Sequence, residues 1–227
     1  MALSPSPALF SRLSPHPQLT KSPPPPTRTQ QPTKQQQAVL VHQLSRQATQ
    51  NPFRKSKGRV TRALFHPTKP FLFVASQGGV RCYNLAKQAL ARRLGAPSAA
   101  AITCMAVHPS GDHVLTGGAD RRVAWYDLDL GSTPYRALRY HAAGVRAVAF
   151  HPAGYPLFAS AADDGHAHVF HGQVYQDLMT NPTIVPVKVL RGHGVVDQGG
   201  VLDVAWHPTQ PWLFTAGADG TAVLWCH

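Results

Sequence analysis

The 227-residue sequence contains no glutamate: all ten acidic residues are aspartate, and none occurs before Asp112. Fifteen Lys and Arg precede that position, so most of the formal net charge of +12 comes from the first half. Such lopsided charge suggests an anionic partner, most often nucleic acid. A non-specific contact of that kind would be strongly salt-dependent. Cysteine is scarce: Cys82, Cys104 and Cys226 are an odd number with no C-x-x-C spacing. A disulfide framework is therefore not expected, and a reducing compartment is favoured. No apolar run approaches the roughly 18 residues of a membrane-spanning helix. The G-x-x-x-x-G-K-[ST] phosphate loop and the G-x-S-x-G elbow are both missing, and with them two common frames for enzyme chemistry. An RNP motif, a KH loop and a zinc knuckle are missing too, so sequence-specific RNA readout is not indicated.

Turn formers are plentiful instead, with 21 Pro and 18 Gly. One phrase recurs four times, each copy closing on His-Pro: VTRALFHP at Pro67, ITCMAVHP at Pro109, VRAVAFHP at Pro152 and VLDVAWHP at Pro208. The prolines are 42, 43 and 56 residues apart. Each phrase leads to an apolar run, a Gly/Asp turn and an aromatic-tipped strand: ASQGGVRCYNL, GGADRRVAWYDL, SAADDGHAHVFHG and AGADGTAVLWC. A period of about 40–45 residues of this kind marks WD-type β-propeller blades. The fold class expected is all-β, a WD-repeat β-propeller of about four blades.

Within each repeat, alternation such as Val145, Ala147, Ala149 turns one face inward. His-Pro then ends the strand, since proline cannot donate to a ladder. A second, more apolar strand follows, then a third (167–170 or 222–225), then a weak outer one. The 56-residue step carries an insertion, roughly 172–186, expected as a helical turn or an ordered loop. Residues 1–37, rich in Pro, Ser and Gln, are expected to be a disordered tail; an organelle transit peptide is the alternative. The AVLVHQL segment from Ala38 reads as a remnant strand, so the propeller spans 38–227. Propellers usually have 4–8 blades and WD-type rings usually seven. An incomplete ring, the C-terminal part of a longer propeller, is therefore expected, with edges that need a partner.

Two stretches go beyond a generic repeat. VHQLSRQATQNPFRKSKGRV and the run from FHGQVYQDLMTNPTIVPVKVLRGH to VLDVAWHP strongly resemble the C-terminal WD domain of the block-of-proliferation family of ribosome-biogenesis proteins. The resemblance covers about residues 38–227. It implies a non-catalytic nucleolar and nucleoplasmic scaffold, needed for processing large-subunit precursor rRNA and assembling the 60S pre-ribosome. The partners implied are a pescadillo-type protein, a second WD-repeat protein and precursor ribonucleoprotein, with no membrane, cofactor or small-molecule substrate. The Pro-rich leader at 1–37 does not align with the family, so contacts that family members make through their long N-terminal region are not carried over. The alternative is a WD-repeat adaptor for protein partners with no RNA role.

In WD blades a His, a Ser/Thr, an Asp and an aromatic form a hydrogen-bonded network. The last repeat offers His193, Thr215, Asp219 and Trp225. The third offers His141, Ser160, Asp164 and Phe170, one donor short because Phe has no N–H. The second offers Thr116, Asp120 and Tyr126 with no evident His. Periodic recurrence makes these structural groups rather than a hydrolytic triad. His166, His168 and His171 invite a metal reading, but no Cys or carboxylate supports it except Asp163 and Asp164, which the turn needs. The candidates for RNA or partner contact are Phe53, Arg54, Lys55, Lys57, Arg59 and Arg62, with Arg92 and Arg93 in a loop and Arg121 and Arg122 in a tight turn. Solvation and phosphate contact are the two readings of these charges, with Phe53 available for base stacking.

Overall fold

The computed structural model describes residues 58–175 and 183–226. Fifteen strands and no helix occur among them, arranged in four antiparallel meanders. Blade 1 is β1 (Val60–Phe65), β2 (Phe71–Ser76), β3 (Gly79–Asn84) and β4 (Ala89–Gly95). Blade 2 is β5 (Ile102–Val107), β6 (His113–Gly118), β7 (Val123–Asp127) and β8 (Arg136–Leu138). Blade 3 is β9 (Val145–Phe150), β10 (Leu157–Ala162), β11 (His166–Gln173) and β12 (Thr183–Arg191). Blade 4 has three strands among the described residues, β13 (Val201–Trp206), β14 (Leu213–Gly217) and β15 (Ala222–Trp225). The tail at 1–37, the remnant strand, Phe53, Arg54, Lys55 and Lys57 lie outside the described residues.

The His-Pro phrases become the first strand of each blade, and these strands neighbour one another in the order β1, β5, β9, β13. Each carries a register shift at its second residue: Thr61, Thr103, Arg146 and Leu202 have no partner in the ladder. Such a bulge re-aims a side chain. That of Thr103 reaches the carbonyls of Gly117 in its own blade and Val145 in the next. The histidine after each strand then caps its turn. His66 Nδ1 accepts the N–H groups of Thr68 and Lys69, and His207 Nδ1 those of Thr209 and Gln210. His151 Nδ1 accepts Ala153 N–H, while its Nε2–H donates 2.8 Å to the Gln210 carbonyl. That last bond ties blade 3 to blade 4.

Alternation along the strands gives every blade two apolar faces, and consecutive blades bury them against each other. Phe73, Ala75 and Cys82 of blade 1 pack with Met105, Val114 and Tyr126 of blade 2. Cys104, Leu115 and Trp125 then pack with Val148, Phe158 and Phe170. Finally Ala147, Ala159 and Ala161 pack with Val204 and Leu213. The third junction uses alanines on one side, which leaves room for Trp206 and Trp225 on the other. At about 1.5–3 kcal/mol for each large side chain buried, these junctions rather than the hairpins hold the array together. Glycine permits the closest approaches: a Cβ on Gly111 (φ +88) would run into the His66 ring of the preceding blade.

Two expectations need correction. Arg92 and Arg93 are not in a loop but in β4, paired with Cys82 and Arg81. A register shift between Cys82 and Tyr83 leaves Ala91 unpaired, and Leu94 is the one buried residue of this outermost strand, so its sequence shows no alternation. The insertion read at 172–186 is narrower, because Gly172 and Gln173 extend β11 and pair with Ile184 and Thr183 at the start of β12. Residues 176–182 lie outside the described residues.

Candidate nucleic-acid interface and the polar networks beneath it

The candidate residues fall into two populations, buried polar groups that fix the blades and exposed cations at their rims. In blade 4, the Thr215 hydroxyl lies 2.7 Å from His193 Nε2 and accepts the Trp225 Nε1–H at 2.8 Å. His193 Nδ1 faces the Asp219 carboxylate at 3.2 Å. That carboxylate also accepts the Gly194 N–H, the Thr221 N–H and the Thr221 hydroxyl. The bonds from Thr221 and Gly194 hold Asp219 well below the usual carboxylate range.

Blade 3 repeats the pattern, with His141 Nε2 2.7 Å from Ser160 Oγ and His141 Nδ1 3.1 Å from Asp164 Oδ2. Burial lowers the His141 pKa, and Asp164 opposes that only in part. Burial also pushes Asp164 upward, but hydrogen bonds from Ala142, His166 and His141 outweigh it and leave the carboxyl below its ordinary value. Phe170 occupies the place of Trp225 and donates nothing. It stacks on Phe158 at 4.7 Å, so Ser160 has His141 alone as its side-chain partner.

In blade 2 the Tyr126 hydroxyl donates 2.7 Å to the Gly95 carbonyl of blade 1. Burial pushes its pKa up to about 12, against a hydrogen bond with Thr116. Asp120 accepts from Ser98 Oγ at 2.6 Å. Ser98 thus stands where blades 3 and 4 place histidine, and composition gave no hint of it. Position does: Ser98 precedes Ile102 by the same four residues that separate His141 from Val145. A second buried pair was likewise not read: Trp125 Nε1–H donates to His113 Nδ1 at 3.2 Å.

The three histidines of β11 do not converge. His168 is buried and packs edge-on against His141, ring centroids 4.4 Å apart. Burial foremost, then His141, lowers its pKa to about 4. Among the described residues no group of three His, Cys or Asp side chains could hold a metal ion. Cys82, Cys104 and Cys226 are free thiols, and burial raises Cys104 to about 11.

The cations divide by environment. Arg122 lies 3.7 Å from Asp120 of its own turn, and Arg121, at φ +70, reaches toward the Ala142 carbonyl. Arg59, Arg62, Arg92 and Arg93 are exposed and enter no ion pair among the described residues. They share blade 1, where residues 58–95 hold seven Lys and Arg and no acid.

The WD domain, G-beta repeat family model matches residues 89–127, 132–171 and 184–226. The chain belongs to the WD-repeat family. Solved structures agree on the fold: the WD40 repeats of RRP9 superpose with a TM-score of 0.63 at 18% identity, covering 76% of this chain and 49% of that one. U3-55K gives 0.62 at 18% identity, with 76% and 50% covered. Within the WD-repeat family, the chain is similar to the "Ribosome biogenesis protein BOP1 homolog" of Chlamydomonas reinhardtii, 65% identical over 197 residues and 86% of this chain. "Ribosome biogenesis protein ERB1" of Candida albicans is 53% identical over 197 residues, and that of Yarrowia lipolytica 53% over 194. The block-of-proliferation resemblance read from NPFRKSKG and FHGQVYQDLM is thereby borne out. The chain spans about a quarter of these relatives, 24%, 23% and 24% of their length.

Proposed function

We propose that this chain is a non-catalytic scaffold in large-subunit ribosome assembly, working in the nucleolus as part of a pre-ribosomal complex. The observation that carries the reading is the 53–65% identity of its blades to ribosome biogenesis proteins. A pescadillo-type protein and a second WD-repeat protein are the protein partners that the family resemblance implies. The acid-free blade 1 supports a direct RNA contact: Arg59, Arg62, Arg92 and Arg93 present charges that no described carboxylate neutralises. Phosphates satisfy such guanidinium groups without base readout. Rigid junctions beneath them hold the charges in fixed relative positions.

The test is titration of the chain with single-stranded RNA across a salt series. Affinity is expected to fall with salt, with a log–log slope that shrinks by about 0.7 for each phosphate-contacting arginine replaced by Gln. Binding no tighter at low salt than that of an uncharged propeller would remove RNA from the proposal. Failure to co-sediment with large-subunit precursor particles would leave a plain adaptor.

A further inference from the structure

The cleft between blades 1 and 2 holds a buried polar group that the fold leaves unused. The turn histidines of blades 2 and 3 engage the blade that follows. His108 packs edge-on against Phe150, ring centroids 4.9 Å apart, and His151 Nε2–H donates 2.8 Å to the Gln210 carbonyl. His66 of blade 1 does neither. Its Nδ1 accepts the N–H groups of Thr68 and Lys69, so the ring proton is on Nε2. That N–H has no acceptor among the described residues, although His66 is only 6% exposed. At the place of Gln210, third after its own turn histidine, blade 2 has Gly111. A side chain there would fill the space beside His66 Nε2.

A cleft of about 220 Å³ opens at this place. Phe71, Phe73, Cys82 and Leu128 give it apolar walls, and the Phe71 ring is half-buried. Blade 1 adds Lys69 and Arg92, and blade 2 adds Asp112 and Asp129. Arg92 is the fourth member of the row Leu64–Phe73–Cys82 that faces blade 2, on the outermost strand. Lys69 and Asp112 are 3.2 Å apart. Arg92 and Asp129 enter no ion pair among the described residues. The volume falls below the roughly 300–1,000 Å³ of pockets for drug-sized ligands and suits one planar ring system.

The polar groups match the edge of one base. An ionised carboxylate only accepts hydrogen bonds. Of the four RNA bases, guanine alone presents two adjacent donors, N1–H and the N2 amino group, beside an acceptor, O6. We propose that this cleft holds one guanine of single-stranded RNA. Asp129 accepts from N1–H and the N2 amino group, His66 Nε2–H donates to O6, and Phe71 offers its ring for stacking. Arg92 meets the adjoining phosphate. The site rests on the RNA contact proposed above and adds a preference for one base to it.

Fluorescence anisotropy of labelled five-nucleotide RNAs with the 227-residue chain at low salt tests this. U-U-G-U-U is expected to bind about tenfold more tightly than U-U-A-U-U. U-U-I-U-U, whose hypoxanthine lacks the N2 amino group, is expected to lose most of that preference, and it reads the base contact with no change to the protein. Asp129→Ala is expected to bring the guanine and adenine RNAs within about twofold of each other. Arg92→Gln should weaken both and keep their ratio. Equal binding of the two RNAs by the wild type overturns the guanine site and leaves the phosphate contact standing. Binding of neither overturns both. A guanine preference that persists in Asp129→Ala or with hypoxanthine also overturns the site, because the base is then read elsewhere. So does guanosine 5′-monophosphate binding as tightly as the five-nucleotide RNA, which marks a site for a free nucleotide.

Discussion

Replacing Thr215 by Val keeps the volume of the side chain and removes one oxygen that serves two partners, the partly buried Trp225 indole and the His193 imidazole. Thr215 is 1% exposed, and its hydroxyl sits between the Trp225 Nε1–H at 2.8 Å and His193 Nε2 at 2.7 Å. The indole N–H can only donate, so in the valine variant it has no acceptor, and the imidazole loses its partner at the same time. Each buried polar group left unpaired costs about 1–3 kcal/mol. Taking values near the lower end because Trp225 is only partly buried, the loss is about 2–4 kcal/mol. Ser160 supplies the internal control. It has the same place in blade 3 but faces Phe170 rather than an indole, so Ser160→Ala breaks only the bond to His141. That variant should cost about 1–2 kcal/mol, roughly half. Urea unfolding measures both, and the change should fall on the midpoint with the slope unchanged. A Thr215→Val loss equal to or smaller than that of Ser160→Ala would refute the two-partner account.

Stability should also fall in mild acid. Burial, helped by His113 for His108 and by His141 for His168, holds both imidazoles at about 4 in the folded chain against 6.5 when free. The unfolded state therefore binds more protons between these values, so this contribution is complete above pH ~6.5 and is lost as pH falls toward ~4. Urea midpoints at neutral and mildly acid pH read the decline, and His168→Gln should flatten it. Gly200→Ala should lower the melting temperature through a loss of about 2–3 kcal/mol, since its Cβ would meet backbone atoms of Ala162, Asp163 and Gly165 that cannot give way. Gly154→Ala, with φ +78 and open space around the added carbon, should cost only about 1–2 kcal/mol.

The blade framework is legible because its strongest signals are local. The four His-Pro phrases end β1, β5, β9 and β13, and the third strand expected at 222–225 is β15. Strand β11 runs past the expected 167–170 because it is extended by pairing with the nine-residue β12, a partner that alternation within one strand cannot reveal. The outer strand β4 was hidden for a related reason: with one neighbour it buries only Leu94, and two adjacent arginines look like a loop. The spacing of His193, Thr215 and Asp219 is visible in the chain because the groups recur with the repeat. Ser98 breaks that recurrence in residue type while keeping it in position. The pairing of Arg122 with Asp120 depends on how a four-residue turn aims its side chains, and no pattern of residue types encodes that.

The order of neighbours β1, β5, β9, β13 has a thermodynamic consequence for a single chain. Stability in such a row is a sum of blade terms and nearest-neighbour junction terms. Blades 2 and 3 are clamped from both sides, while blades 1 and 4 each have one described junction to lose. Opening therefore starts at the ends and moves inward, and the amides of β6 and β10 exchange last. Blade 1, with one described junction, is thus both a part ready to open and the part that carries the exposed Arg59, Arg62, Arg92 and Arg93. In this array, the capacity to engage something else is concentrated where internal cohesion is lowest.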